Sequence, residues 1–251
     1  MSAPMIAVAC AAATGVGLVC KSVDHADSVP LRTLRCTNSF SAGYSLLLFV
    51  LSLDWLVLGL ARGSWRELRA VLSAPPRGTL RIEDVASGER ICVLMLAYMV
   101  QDLTVRILYR ELDVRYVLHH SACLLGLAMV LVLGHPPLYC VALCLSELST
   151  PVVCLFEVAD MERGALQRWI EPCGVLLNLL FPLRCAWFAW TFYLWIAVVR
   201  TEPLLAPTLD NLGFLSVAVL LLVNFSWWSK LLWGTAAALL DKLKEGRAKQ
   251  L

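Results

Sequence analysis

Apolar runs dominate the chain and are broken by short charged or Pro- and Gly-bearing stretches. The runs fall at about Met5–Cys20, Ser41–Ala61, Ile91–Tyr109, Tyr116–Leu133, Leu138–Ala159, Cys173–Val199 and Leu212–Ala238. A helix needs about 20 residues to cross the hydrocarbon core of a bilayer, so each run is read as a span. The predicted fold class is all-α and integral to the membrane, with about seven transmembrane helices. Gly134-His135-Pro136-Pro137 predicts a tight turn between the fourth and fifth spans. The long break from Arg62 to Arg90 holds Ala74-Pro75-Pro76-Arg77-Gly78 and is expected to lie outside the bilayer as a loop.

Composition supports the same reading. The chain is 59% hydrophobic and only 16% charged, with a mean hydropathy of +0.73. Soluble domains have less apolar and more charged sequence, and a chain of 251 residues has too little interior to hide this much. The first run has no basic residue before it, since Lys21 follows it. That favours a retained span over a cleaved signal, although six spans remain if it is removed. The sequence divides into a first helix and loop (1–37), a multi-span domain (38–240) and a basic tail (241–251).

Charge gives orientation and removes some functions. The formal net charge of +2 gives no reason to expect nucleic acid as a partner. With seven spans, Lys21, Arg110, Arg115, Arg163, Arg168 and the tail lysines fall on one side. Basic residues close to span ends mark the cytosolic face, which predicts a lumenal N-terminus and a cytosolic C-terminus. Lys249 sits near the end without the second lysine of a retrieval signal, a slight pointer to the endoplasmic reticulum; a plasma-membrane location is the alternative. The ten cysteines form no CxxC pair and read as small buried hydrophobes. No metal is expected.

Ionisable residues within spans are costly in hydrocarbon and tend to mark functional cavities. Tyr98, Asp102 and Arg106 recur every four residues on the third span, so they share a helix face and Asp102 can pair with Arg106. His119 and His120 open the fourth span. Adjacent helix positions diverge by about 100°, so one imidazole can face a cavity while the other contacts a neighbouring helix. The fifth span holds Ser146-Glu147-Leu148-Ser149-Thr150-Pro151. Pro151 removes the helical bond to the Glu147 carbonyl and predicts a kink there. Asp54, Asn178, Arg184 and Asn224 add single polar groups elsewhere. Arg184 is a candidate partner for either Glu147 or Asp102. Together these residues predict one interior cavity suited to a lipid with a polar head.

These motifs, in this order, resemble the TLC family, named for its TRAM, Lag and CLN members. The resemblance covers about Asn38 to Lys230. It rests on Asn38-x-x-Ser41-x-x-Tyr44-Ser45, Tyr98-x-x-x-Asp102, His119-His120, the Ser146–Pro151 stretch, Arg184 and Asn224-x-x-x-Trp228. Tyr44 stands where the family commonly has His. The resemblance implies a helical bundle around a lipid-sized cavity. Carried over from the family's ceramide synthases, His119 or His120 would activate an amine or accept an acyl group, and Asp102 would orient the imidazole. Tyr98, Arg106, Glu147, Ser149, Arg184 and Asn224 would contribute to the lipid cavity. The synthases' acidic H-D-x-x-D pattern is missing here, so the chain is more similar to TLC-domain-containing members concerned with membrane lipid homeostasis. The expected function is binding or regulation of membrane lipids, with no cofactor. The first alternative is an acyltransferase with acyl-CoA as substrate and a lipid amine or hydroxyl as acceptor. The second is a transporter or channel, disfavoured by the lack of an internal repeat.

Overall fold

A computed structural model describes residues 3–26, 36–62, 82–108, 113–133, 137–161, 167–201 and 207–248. The described residues are helical almost throughout. They form α1 (Ala3–Ala26), α2 (Cys36–Arg62), α3 (Ile82–Leu108), α4 (Val114–Leu131), α5 (Leu138–Cys144), α6 (Thr150–Met161), α7 (Ile170–Thr201) and α8 (Pro207–Ala248). A 3₁₀ turn, Leu145–Ser149, joins α5 to α6, and a second, Gln167–Trp169, leads into α7. Among the described residues, six segments are long and apolar enough to cross a membrane: one in each of α2, α3, α4, α7 and α8, and the broken α5–α6 unit. The chain is an integral membrane protein by this measure. The apolar part of α1, Ile6–Cys20, is shorter.

The order of contacts makes a ring. Helix α2 packs on α3, α3 on α4, α4 on α8, α8 on α7, α7 on α6 and α6 back on α2. Helix α1 lies outside the ring against α3 and α2. Ala13, Gly17 and Cys20 are its buried stripe, at the three-to-four-residue spacing of one helix face. A Cβ at Gly17 would overlap the side chain of the fully buried Gln101, which would have to move to admit it.

Helix α5 leans into the ring. It contacts α2, α3, α4 and α7, and its Tyr139 packs with Val217 of α8. Trp187 of α7 donates from Nε1 to the Ala142 carbonyl at 2.7 Å. Pro137, the N-cap residue just before α5, is buried against Gly88 of α3, where an added Cβ would lie 2.9 Å from the proline ring. These contacts hold α5 against several of the ring helices at once.

Several details depart from the sequence-based expectations. The break from Arg62 to Arg90 is not all loop, because α3 already begins at Ile82. Residues 134–136 of the expected turn, and residues 63–81 of the expected loop, lie outside the described residues. The irregularity at Pro151 is a full 3₁₀ turn rather than a simple bend. Asp54 faces outward from α2 and contributes nothing to the interior.

Candidate functional site

The 3₁₀ turn solves the problem that Pro151 creates. Proline offers no N–H to the Glu147 carbonyl, and the N–H of Thr150 takes that carbonyl one residue early. The preceding carbonyl, that of Ser146, takes two side-chain donors as well. Ser149 Oγ donates to it at 3.1 Å, and Nη1 of Arg184 donates to it at 3.0 Å. Nη1 also donates to Ser149 Oγ at 2.8 Å, while Nη2 lies 3.6 Å from Oε1 of Glu147. Thr150 Oγ1 donates to the other carboxylate oxygen at 2.7 Å. Of the two candidate partners for Arg184, Glu147 is the one beside it. The arginine sits two residues after Pro182 of α7, so two proline-bearing helices meet at one guanidinium.

A second cluster joins α3 to α4. Asp102 Oδ2 accepts from Arg106 Nε at 3.0 Å and lies 2.9 Å from Nε2 of His120. Nδ1 of His120 lies 2.9 Å from the Tyr116 carbonyl. A carbonyl can only accept, so Nδ1 carries a hydrogen, and Nε2 and the carboxylate then share one proton. The Tyr116 ring stacks on His120 with centroids 5.5 Å apart. Arg106 covers the same ring at 3.9 Å and donates to its hydroxyl at 2.9 Å. His120 is therefore fixed by every polar atom it has.

His119 is placed differently. Its ring lies 5.3 Å from Trp227 of α8 and edge-on to His120 at 5.5 Å. Nε2 is 3.8 Å from the Cys123 thiol. Nδ1 is buried without a hydrogen-bond partner among the described residues.

Both clusters line one cavity of about 750 Å³, walled by α3, α4, α6, α7 and α8. Its inner end carries Asp102, His119, His120, Glu147 and Arg184, all buried. Its outer end carries Asp113, Arg115 and Lys230 beside the start of α4. Asp113 is the N-cap of α4 and accepts from the Arg115 N–H at 2.9 Å. The neighbouring Arg115 guanidinium and that backbone bond hold its carboxyl below the usual aspartate range. Between the ends the lining is largely apolar, including Val153, Phe156, Leu177 and Phe181. A smaller space of about 50 Å³ lies beyond His119, Glu147 and Arg184, among α4, α5, α7 and α8.

Of the sequence candidates, Tyr98, Asp102, His119, His120, Glu147 and Arg184 meet at this cavity. Arg106, Ser149 and Asn224 do not line it. Arg106 and Ser149 hold residues that do, and Asn224 donates to the Leu220 carbonyl of its own helix at 2.7 Å. Asn178 bonds to Thr235 at 2.9 Å on the α7–α8 seam. On α2, the Tyr44 hydroxyl donates to the Leu94 carbonyl at 2.9 Å and its ring stacks on Tyr98 at 5.3 Å. Sequence reasoning missed Tyr116, Trp227 and Thr150. Tyr116 precedes His120 by one helical turn, and that spacing was a usable signal; Trp227 offered none.

Residues 30–233 match the family model described as the TLC domain. The chain belongs to the TLC-domain family. Among curated proteins and solved structures, no chain matches it significantly. The TLC domain thus covers α2 to the middle of α8 and takes in both polar clusters.

Proposed function

We propose that this TLC-domain protein binds a membrane lipid in its cavity and acts in setting membrane lipid composition. The observation that carries the reading is the cavity's two-part lining. Buried ionisable groups line its inner end and apolar side chains its length, in a volume within the range of small-molecule sites. A polar or charged headgroup is matched by Arg184, Glu147 and the two imidazoles, and an acyl chain by the apolar wall. The basic residues near the outer end, together with the positive-inside rule, support a cytosolic mouth, and the endoplasmic reticulum is the proposed membrane. The test is mass spectrometry of lipids retained by the purified protein. One lipid class enriched over bulk membrane, and lost on Arg184→Met, is expected. Retention of only bulk lipid in bulk proportion would contradict the reading.

One observation favours a second reading, acyl transfer from acyl-CoA. His119 presents an unpartnered buried ring nitrogen at the cavity, while His120 is held by Asp102 and the Tyr116 carbonyl. In this reading His119 is the base or acyl acceptor, and His120 with Asp102 positions it. Labelled acyl-CoA with amine and hydroxyl lipid acceptors tests it. Product formation abolished by His119→Ala would establish the enzyme, and no product across the panel would remove it.

A further inference from the structure

The charges along the cavity cancel. Glu147 and Arg184 meet at its inner end, with Nη2 3.6 Å from Oε1. Asp102 lies 2.9 Å from His120 and 3.0 Å from Arg106. The proton shared by His120 and Asp102 makes that pair neutral as a whole. Arg106 is then balanced by Glu157, which lines the same cavity and acts on it electrostatically. Toward the mouth, Asp113 and Glu171 stand with Arg115 and Lys230.

A headgroup of net charge would thus enter a site with no counter-charge to spare. Burying an ion without a partner is strongly unfavourable, which acts against a phosphate monoester and an ammonium alike. A zwitterion carries both signs. To use them it would have to draw Arg184 from Glu147, or Arg106 and His120 from Asp102.

Hydrogen-bonding capacity is not used up in the same way. Nδ1 of His119 and Nε of Arg184 are buried without a hydrogen-bond partner among the described residues. Both residues line the inner end of the cavity and the small space beyond it. The guanidinium N–H only donates, whereas a neutral imidazole nitrogen donates or accepts according to its tautomer. A hydroxyl does both, so it suits either tautomer. A plain alkyl end would leave both nitrogens unsatisfied, which is costly in a buried site.

We infer that the cavity selects a lipid of the diacylglycerol class, with an uncharged, hydroxyl-bearing headgroup directed to Arg184 Nε and His119 Nδ1. The inference deepens the lipid-binding reading and rests on it. Charge balance disfavours ionic headgroups, and the two unpartnered nitrogens favour a hydroxyl over hydrocarbon. The apolar wall takes acyl chain.

The test uses the full chain in phosphatidylcholine nanodiscs doped with a diacylglycerol that carries a diazirine within one acyl chain. After irradiation, adducts are mapped by peptide mass spectrometry. Adducts on Phe156 and Phe181 inside the cavity are expected, with Leu53 on the outer face of α2 as reference. Four unlabelled competitors share the same chains: diacylglycerol, its hydroxyl-capped methyl ether, phosphatidic acid and a diacyl ammonium lipid. Diacylglycerol should lower the cavity adducts severalfold and leave Leu53 labelling unchanged, and the other three should lower them little. Glu147→Gln leaves Arg184 without its counter-charge, so phosphatidic acid should now compete severalfold better. Glu157→Gln does the same beside Arg106, and it carries the test if melting shows that Glu147→Gln does not fold. Phosphatidic acid or the ammonium lipid matching diacylglycerol in the unmodified protein would overturn the inference and leave the lipid-binding reading standing. The same holds for a methyl ether that competes equally, or for a preference that neither carboxylate variant moves. Absence of any cavity adduct would overturn the inference too, and the retained-lipid measurement then decides the lipid-binding reading by itself.

Discussion

Asp102 and His120 meet at 2.9 Å in the membrane interior, with Arg106 on the same carboxylate oxygen at 3.0 Å. One carboxylate thus serves two cationic or proton-bearing partners from two helices. Removing it strands both. Breaking a buried ion pair from one side costs about 3–5 kcal/mol. Asp102→Ala is expected to lower stability by that order, and Asp102→Asn by less, because the amide oxygen still accepts. Thermal melting in detergent, read by loss of the monodisperse peak, measures both. Equal effects of the two variants would show that charge, rather than hydrogen bonding, dominates at this carboxylate.

Arg184 does more than neutralise Glu147, since it also donates to the Ser146 carbonyl and to Ser149 Oγ. Arg184→Met should cost about 3–5 kcal/mol, as for other buried charges left unpaired. Adding Glu147→Gln should recover only part, because the charged hydrogen bonds from Arg184 to the Ser146 carbonyl and to Ser149 Oγ stay lost. Full recovery in the double mutant would mean that the carbonyl contact carries no weight.

At the α1–α3 contact the limiting factor is space. A side chain at position 17 overlaps Gln101, and overpacking typically costs about 1–3 kcal/mol. Gly17→Val should loosen α1 from the ring and raise hydrogen exchange along Ala13–Cys20, and Gln101→Ala should restore protection. Exchange in Gly17→Val that matches the unmodified protein would show that α1 shifts without cost.

The α4 cap gives a prediction in pH. The Asp113 carboxyl is held low in the folded protein by Arg115. A group with a depressed folded pKa contributes stability above its unfolded pKa, and that contribution fades as pH falls through the folded value. Asp113→Ala should therefore melt lower than the unmodified protein at neutral pH. The gap should narrow once acid protonates the native carboxylate. A gap that is constant across pH would assign the effect to helix propensity alone.

Much of this arrangement was legible from spacing within a helix. The stripe of Tyr98, Asp102 and Arg106, and the break at Pro151, depend on neighbours three or four residues apart. What spacing cannot give is which helices adjoin. Arg184 was equally compatible with Asp102 and Glu147 until α7 was seen beside α6. Ile82–Arg90 reads as loop because Glu83, Asp84, Glu89 and Arg90 resemble a solvated break, yet the segment continues α3. Asp54 looked like a cavity residue because its span is apolar, but a helix has an outward face as well. His119 and His120 were legible as a pair, but their division of labour was not. It depends on the Tyr116 carbonyl and the Trp227 ring, which no motif encodes.

Helix α5 sits inside the ring and touches α2, α3, α4 and α7 at once. Tyr139, Val141 and the Trp187–Ala142 hydrogen bond hold it there. A motion that widened the ring on this side would therefore have to give up contacts to several walls together, so α5 ties those helices into one mechanical unit.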